Sequence, residues 1–248
     1  MNNKKVIVFV YDFPHRKSLS GMQIIKNSGI ENVLVISQPW IKLTFRKSKN
    51  RISVIEDEFI NPTDLARSYG WEVLTSMHNS KEAIDFYSKI NPDYGVILGA
   101  RILSKSVINC FSEGIINFHR GLLPHNRGLD TIKWAIYNRL PQGITTHMID
   151  EKIDVGKKIY LETIDVEKED TIFDVDSKLF YLEMKHLNKV LNASFQFPKL
   201  ENLESNIYTK SQDAVSDEID DQVLEDFELY KKNYKKILSN YESDNKNQ

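Results

Sequence analysis

An amide, an imidazole and a carboxylate stand within one stretch of this chain as Asn117, His119 and Asp154. These are the groups needed to move an acyl unit onto an amine. The Asn117 amide can donate to a developing oxyanion, the His119 imidazole can take or give a proton, and the Asp154 carboxylate can orient and charge the imidazole. The apolar Leu122-Leu123-Pro124 that follows reads as a rigid wall behind such a site. Standing alone, Asn-x-His would be read more plainly as a strand end running into a turn. The elements around it decide between the two.

Val6 to Tyr11 is a continuous apolar, β-branched run, as expected of a strand buried on both faces of a parallel sheet. The pattern then predicts a helix from Ser18 to Asn27 with Met22, Ile24 and Ile25 inward, and a strand from Asn32 to Ser37. Next come a short helix from Pro62 to Tyr69 started by Asn61 and a strand from Trp71 to Thr75. Asn79 and Glu82 read as a capping pair for a helix through Ile90, ended by Asn91-Pro92. A strand over Tyr94 to Leu98 and a helix from Ser104 to Gly114 follow. The strand from Gly114 to Asn117 then delivers Asn117 and His119 from its carboxyl end. Thr131 to Asn138 reads as a helix, and 143–149 with 158–166 as an antiparallel ribbon around the turn at 150–156. Thr171 with Asp174 caps a helix to about Ser194, whose stripe includes Phe173, Leu179, Leu182, Met184, Leu187 and Val190. This alternation argues for an α/β fold, a Rossmann-like open, mostly parallel sheet with helices on both faces. Such sheets bind ligands beyond the carboxyl ends of their strands, where strand order reverses.

The 248 residues divide by composition into a catalytic domain over 1–198 and an acidic C-terminal extension over 199–248. The extension reads as partly helical, with an exposed helix from Asp220 to Leu238 and a frayed end beyond Tyr241. A formal net charge of −2 and no basic footprint speak against a nucleic-acid partner. The single Cys110 excludes an intramolecular disulfide, fits a reducing compartment, and reads as a small buried residue in its apolar run. The first apolar run is too short for a signal or a membrane span, so a cytoplasmic protein with no membrane partner is expected. His15, His78 and His186 are scattered without carboxylate or cysteine at ligand spacing, so no metal is expected. Tyr11-Asp12-Phe13-Pro14 follows the first strand in place of a Gly-x-Gly-x-x-Gly or Walker loop, against a dinucleotide cofactor or nucleotide hydrolysis.

From about Tyr94 to Gly156 the chain resembles the folate-dependent formyltransferases. That family includes glycinamide ribonucleotide transformylase, methionyl-tRNA formyltransferase and the sugar-nucleotide N-formyltransferases. Its elements read here as Val96 to Leu103 ending in Arg-Ile-Leu, Asn117 to Pro124, Gly143-Ile144-Thr145-Thr146-His147, and Asp154-Val155-Gly156. The resemblance implies that Asn117, His119 and Asp154 are catalytic. It places Arg101, Ile102 and Leu103 beside the pteridine of N10-formyltetrahydrofolate, with His147, Ile149, Asp150, Glu151 and Lys152 closing over the same ring. Where the family has a small pair such as Pro-Ser after its histidine, this chain has Arg120-Gly121, a cation that could meet a phosphate or a carboxylate.

Within the family, the loop after the first strand lacks the Gly-Ser-rich phosphate cradle of the glycinamide ribonucleotide enzymes. The acidic tail looks too short for the C-terminal barrel of the methionyl-tRNA enzymes and has the wrong sign for a phosphate backbone. Pro124-His125-Asn126-Arg127-Gly128 and Trp134 are similar to the sugar-nucleotide N-formyltransferases, which implies Arg120, Asn126 and Arg127 as acceptor contacts. The acceptor is then a nucleotide-linked amino sugar destined for a bacterial surface glycan such as a lipopolysaccharide O-antigen. The glycinamide ribonucleotide and methionyl-tRNA types stay open as alternatives, as does a catalytically silent folate- or sugar-binding relative. The apolar positions of the tail allow docking on the catalytic domain or on a second copy in a homodimer.

Overall fold

The structure, a computed structural model, describes residues 4–42, 47–50, 52, 60–152, 154–197, 200–203 and 211–246. Eight strands form one sheet: β1 (Val6–Tyr11), β2 (Val33–Gln38), β3 (Glu72–Thr75), β4 (Tyr94–Ile97), β5 (Gly114–Arg120), β6 (Gly143–Ile149), β7 (Gly156–Thr163) and β8 (Glu201–Asn202). Their order is β3-β2-β1-β4-β5-β6-β7-β8. The first five run parallel, and β6, β7 and β8 continue the sheet antiparallel. Chain order reverses between β1 and β4, which is the switch point where such sheets bind ligands.

The alternate residues of β1 explain the layers. Val6, Val8 and Val10 pack with Met22 and Ile25 of α1 (Arg16–Asn27), Ala66 of α2 (Pro62–Ser68) and Leu187, Val190 and Leu191 of α6 (Ile172–Asn192). Ile7 and Phe9 point the other way, onto Ala83 and Tyr87 of α3 (Lys81–Ile90) and Val107 of α4 (Lys105–Ile108). A strand covered on both faces needs the unbroken apolar run seen in the sequence. A third cluster joins α5 (Thr131–Tyr137), α6 and α7 (Asp217–Lys246) with Ile144 and Val166.

Several expectations change. Strand β5 runs on to Arg120, so Asn117 and His119 lie within it, opposite His147 and Thr145 of β6. The helix capped by Ser104 stops at Ile108, and Gly114 instead opens β5 at φ +127°. Helix α3 is capped by Ser80, whose side chain accepts from the Ala83 N–H. Asn79 instead donates to the Ile102 carbonyl and accepts from the Ser104 N–H, both at 2.8 Å. Thr171 and Asp174 do form a full capping box, but Phe173 is exposed because it falls on the solvent side of the first turn. Cys110 is half-buried, its thiol directed at the Ser106 carbonyl.

The largest departure is the tail. Helix α7 is longer than its pattern predicts and is not an exposed helix. It buries Val223, Phe227, Tyr230 and Tyr234 against Ile132 and Ile136 of α5. Tyr234 donates to the Ile164 carbonyl at 2.7 Å and Tyr230 to the Leu140 carbonyl at 2.7 Å. The charged residues that dominate its composition occupy the outer face and mask the inward stripe.

Candidate active site

Loops leaving β1 and β4, together with Asn117 of β5, surround a cavity of about 580 Å³. Tyr11, His15, Arg16 and Lys17 contribute from one side and Leu98, Gly99 and Ala100 from another. Arg120, Asp130, Lys133, Asp176 and Glu183 complete a polar wall, with the Phe180 ring among them. The position is the switch point anticipated from strand order.

The residues behind this wall form two short hydrogen-bond chains. In the first, Asn117 Nδ2 faces His147 Nε2 at 3.3 Å, and His147 Nδ1 lies 3.1 Å from the Val155 carbonyl. A carbonyl only accepts, so Nδ1 carries the proton and Nε2 receives the Asn117 N–H. Burial, then the adjacent His119, pushes the His147 imidazole down to about 4 against the opposing pull of Asp154. Neutral His147 thereby fixes which way the Asn117 amide points.

In the second chain, His119 Nε2 donates to the Asn126 carbonyl at 2.8 Å. Its Nδ1 lies 3.3 Å from Asp154 Oδ1. The other carboxylate oxygen of Asp154 accepts the Gly128 N–H at 2.8 Å. His119 therefore turns Nδ1 toward a carboxylate that the backbone orients. Asp154 sits at φ +50°, and Gly156 two residues on at φ +114°. A Cβ at Gly156 would stand 2.0 Å from the Met148 carbonyl oxygen, so the Asp-x-Gly turn closes tightly on β6 only with glycine there. Thr145, opposite His119, ties the loop after β5 by donating to the Gly121 carbonyl at 2.7 Å and accepting from the Leu123 N–H at 3.0 Å. Leu122 and Leu123 are buried as the expected wall.

Asn117, His119 and Asp154 are thus brought together, with Asn117 facing the cavity and the other two outside its lining. Of the residues assigned to the pteridine, His147 is fully buried with its ring nitrogens facing Asn117 and the Val155 carbonyl, while others lie near one another. Leu103 and Ile149 share one apolar cluster, and Lys105 pairs with Glu151 across the two segments. Asp150 accepts from the Lys152 N–H at 2.8 Å. Ile102 is 64% exposed beside a buried Leu103, and Arg101 lies over the Tyr11 ring.

The three expected acceptor contacts are placed differently from one another. Arg120 lines the cavity, but its guanidinium is held by Glu183 at 2.8 Å and Asp176 at 2.5 Å. Lys17 also reaches Glu183, at 3.0 Å. Burial alone would favour neutral Glu183, yet Arg120 and Lys17 outweigh it and hold the carboxyl below its usual range. The Asn126 side chain is buried and donates to the Thr131 carbonyl at 2.8 Å, so it shapes the loop from inside. Arg127 is also buried, its carbonyl accepting from the Gln212 N–H. His125 packs edge-on against Tyr241.

Sequence reasoning missed Lys17 of α1 and Asp176 and Glu183 of α6 because the two helices meet at the cavity only through tertiary packing. It also missed the carbonyl of Asn126 and the N–H of Gly128, since backbone groups carry no residue-type signal. Among the described residues, no group of three or more His, Cys, Asp or Glu is placed to hold a metal, and no helix is long and apolar enough to cross a membrane.

A family model described as Formyl transferase matches residues 4–191. A methionyl-tRNA formyltransferase of Agathobacter rectalis is 31% identical over 157 residues, which cover 62% of this chain and 48% of that protein. The chain thus spans about half the length of that curated relative. A sugar N-formyltransferase from Shewanella sp. FDAARGOS_354 superposes with a TM-score of 0.59 at 20% identity, covering 90% of this chain and 87% of that one. Glycinamide ribonucleotide transformylase 1 from Geobacillus kaustophilus gives a TM-score of 0.60 at 17% identity, over 78% of this chain and 99% of that one. At these identities the two structures speak for the fold.

Proposed function

The chain belongs to the formyl transferase family, matched over residues 4–191, and from that premise we propose that it moves a formyl group from N10-formyltetrahydrofolate to the amine of a nucleotide-linked amino sugar. The observation that carries the reading is the His119–Asp154 pair held near Asn117, which lines the cavity. The neutral amine attacks the formyl carbon, and a C–N bond forms as the carbonyl becomes an oxyanion. The Asn117 amide, aimed by His147, donates to that oxygen, an interaction whose loss typically costs about a hundredfold or more in turnover. The amine proton passes to the His119–Asp154 pair and returns to the donor nitrogen as its bond to the formyl carbon breaks.

The donor side has a surface suited to a flat heteroaromatic ring. Ile102 offers exposed apolar area, and buried Arg101 Nε has no hydrogen-bond partner among the described residues. The acceptor then enters the cavity from the side of Tyr11 to Lys17. The run Pro124-His125-Asn126-Arg127-Gly128 with Trp134, similar to the sugar-nucleotide N-formyltransferases, supports a sugar acceptor. The curated match to a methionyl-tRNA formyltransferase supports a second reading, with methionyl-tRNA as acceptor. A soluble enzyme acting in the cytoplasm on a precursor of a surface glycan is the corresponding setting.

The test is incubation with N10-formyltetrahydrofolate and a panel of nucleotide-linked amino sugars, glycinamide ribonucleotide and methionyl-tRNA, read by mass spectrometry. The proposal expects one formyl group added to an amino sugar. Formylation of the tRNA or the ribonucleotide alone would replace it. Folate binding without transfer to any acceptor would mark a silent relative.

A further inference from the structure

The loop that carries the Asn126 carbonyl and the Gly128 N–H is itself gripped from its far side. The Gln212 N–H donates to the Arg127 carbonyl at 3.0 Å, and the Leu129 N–H donates to the Gln212 carbonyl at 2.9 Å. Gly128 and Gln212 thereby pair as a single parallel bridge. Trp134 Nε1 donates to the Asp213 carbonyl at 2.8 Å, and Asp130 accepts the Val215 N–H at 3.2 Å. Val215 is fully buried, and α7 beyond it is anchored by the enclosed Lys133–Asp220 pair at 2.6 Å. Gly128 lies at φ +99°, and a Cβ there would stand 2.1 Å from the Gln212 carbonyl oxygen. The backbone thus approaches at Gly128 as closely as glycine permits.

We infer that residues 211–215 are a positioning element for the acid–base pair, holding the 126–128 backbone that orients Asp154 through Gly128 and His119 through Asn126. The grips at Arg127, Gly128 and Leu129 lie one residue from, or at, a group that bonds a candidate catalytic side chain. Arg127 stands between Asn126 and Gly128 and is fixed by Gln212. Gly128 faces Asp154 with its N–H and Gln212 with its α-carbon. A backbone donor and a backbone acceptor have no rotamers of their own, so their direction is set only by where the loop is held. The inference rests on reading His119 and Asp154 as the proton-handling pair, and it assigns the C-terminal segment a part in that chemistry in addition to its part in packing.

The test uses the full chain with Gln212→Pro, which removes the N–H given to Arg127, and with Trp134→Phe, which removes the bond to Asp213 while keeping an aromatic ring. Two readouts apply: steady-state kinetics with whichever acceptor the panel shows to be formylated, and the ¹⁵N resonances of the His119 imidazole. The expected result is a kcat lower by about tenfold or more in Gln212→Pro with both Michaelis constants little changed, since small misplacements of reacting groups can cost up to about a hundredfold. The His119 resonances should move in parallel. Trp134→Phe should move both readouts in the same direction to a smaller extent, and it decides the matter if the proline variant does not fold. Unchanged His119 resonances and kcat in a folded variant would overturn the inference. So would a rise in acceptor KM at constant kcat, which belongs to a merely structural wall. Should the wild type formylate nothing, the resonances still report on the latch, so the two readings fail separately.

Discussion

Asn117 gives its Nδ2–H to Nε2 of His147 across the β5–β6 pair, at 3.3 Å. The histidine that aims the candidate oxyanion donor is therefore His147, while His119 turns both ring nitrogens to Asn126 and Asp154. Replacing His147 with Leu keeps the site apolar but removes the acceptor, freeing the amide to rotate. We expect kcat to fall by about tenfold, a partial loss of one oxyanion donor, with both Michaelis constants nearly unchanged. A variant with wild-type kcat would show that Asn117 is oriented by something else.

His119→Ala and Asp154→Asn should each remove nearly all turnover, by roughly a hundredfold or more, while the circular dichroism spectrum stays that of the wild type. The two groups act as one unit, so the double variant should be scarcely slower than either single one. Multiplicative losses would separate their roles.

Stability should fall with acid before the carboxylates titrate. His78 and His147 are fully buried, and burial pushes both imidazoles from the ordinary 6.5 down to about 4. Between these values the unfolded chain holds protons that the folded chain refuses, so stability rises with pH across this window. Each group contributes up to about 1.4 kcal/mol per pH unit. Above about pH 7 both states are neutral at these sites and their contribution is flat. Urea unfolding at a series of pH values checks this, and His78→Gln should lower the slope by one proton's share.

The parallel half of the fold was legible because burial on both faces forces unbroken runs such as Val6 to Tyr11, and because Asn61, Ser104 and Thr171 cap helices with their own side chains. The candidate triad was legible for a similar reason, since an amide, an imidazole and a carboxylate declare themselves by residue type. What could not be read is whatever depends on partners distant in the chain. Asn79 looked like a cap because Glu82 follows at capping spacing, yet Ile102 and Ser104 claim its side chain. Arg120 looked like a free cation because Asp176 and Glu183 stand 56 and 63 residues away. The tail looked peripheral because charge dominates its composition, although its apolar positions at i+3 and i+4 were visible.

That stripe makes a direct prediction. Phe227 is 7% exposed, within the cluster that joins α7 to α5. Phe227→Ala should destabilise the chain by about 3 kcal/mol or more, as expected for truncating a buried aromatic. A change under about 1 kcal/mol, the usual range for surface positions, would mean that α7 lies loosely on the domain.

Arg120 separates two roles for a cation at the cavity wall. Its partner Glu183 has a side chain only 2% exposed and keeps Lys17 if the guanidinium is lost. Removing one partner of a buried pair typically costs about 3 kcal/mol, because the remaining charge loses its compensation. Arg120→Ala should therefore lower stability by roughly that amount, with Lys17 softening the loss, and adding Glu183→Gln should recover part of it. Denaturant unfolding of the single and double variants measures the recovery. If Arg120 also reaches the acceptor, its KM rises in the single variant and stays raised in the double one. Full stability in Arg120→Ala together with a raised acceptor KM would instead make the arginine a substrate contact whose bonds to α6 carry little stability.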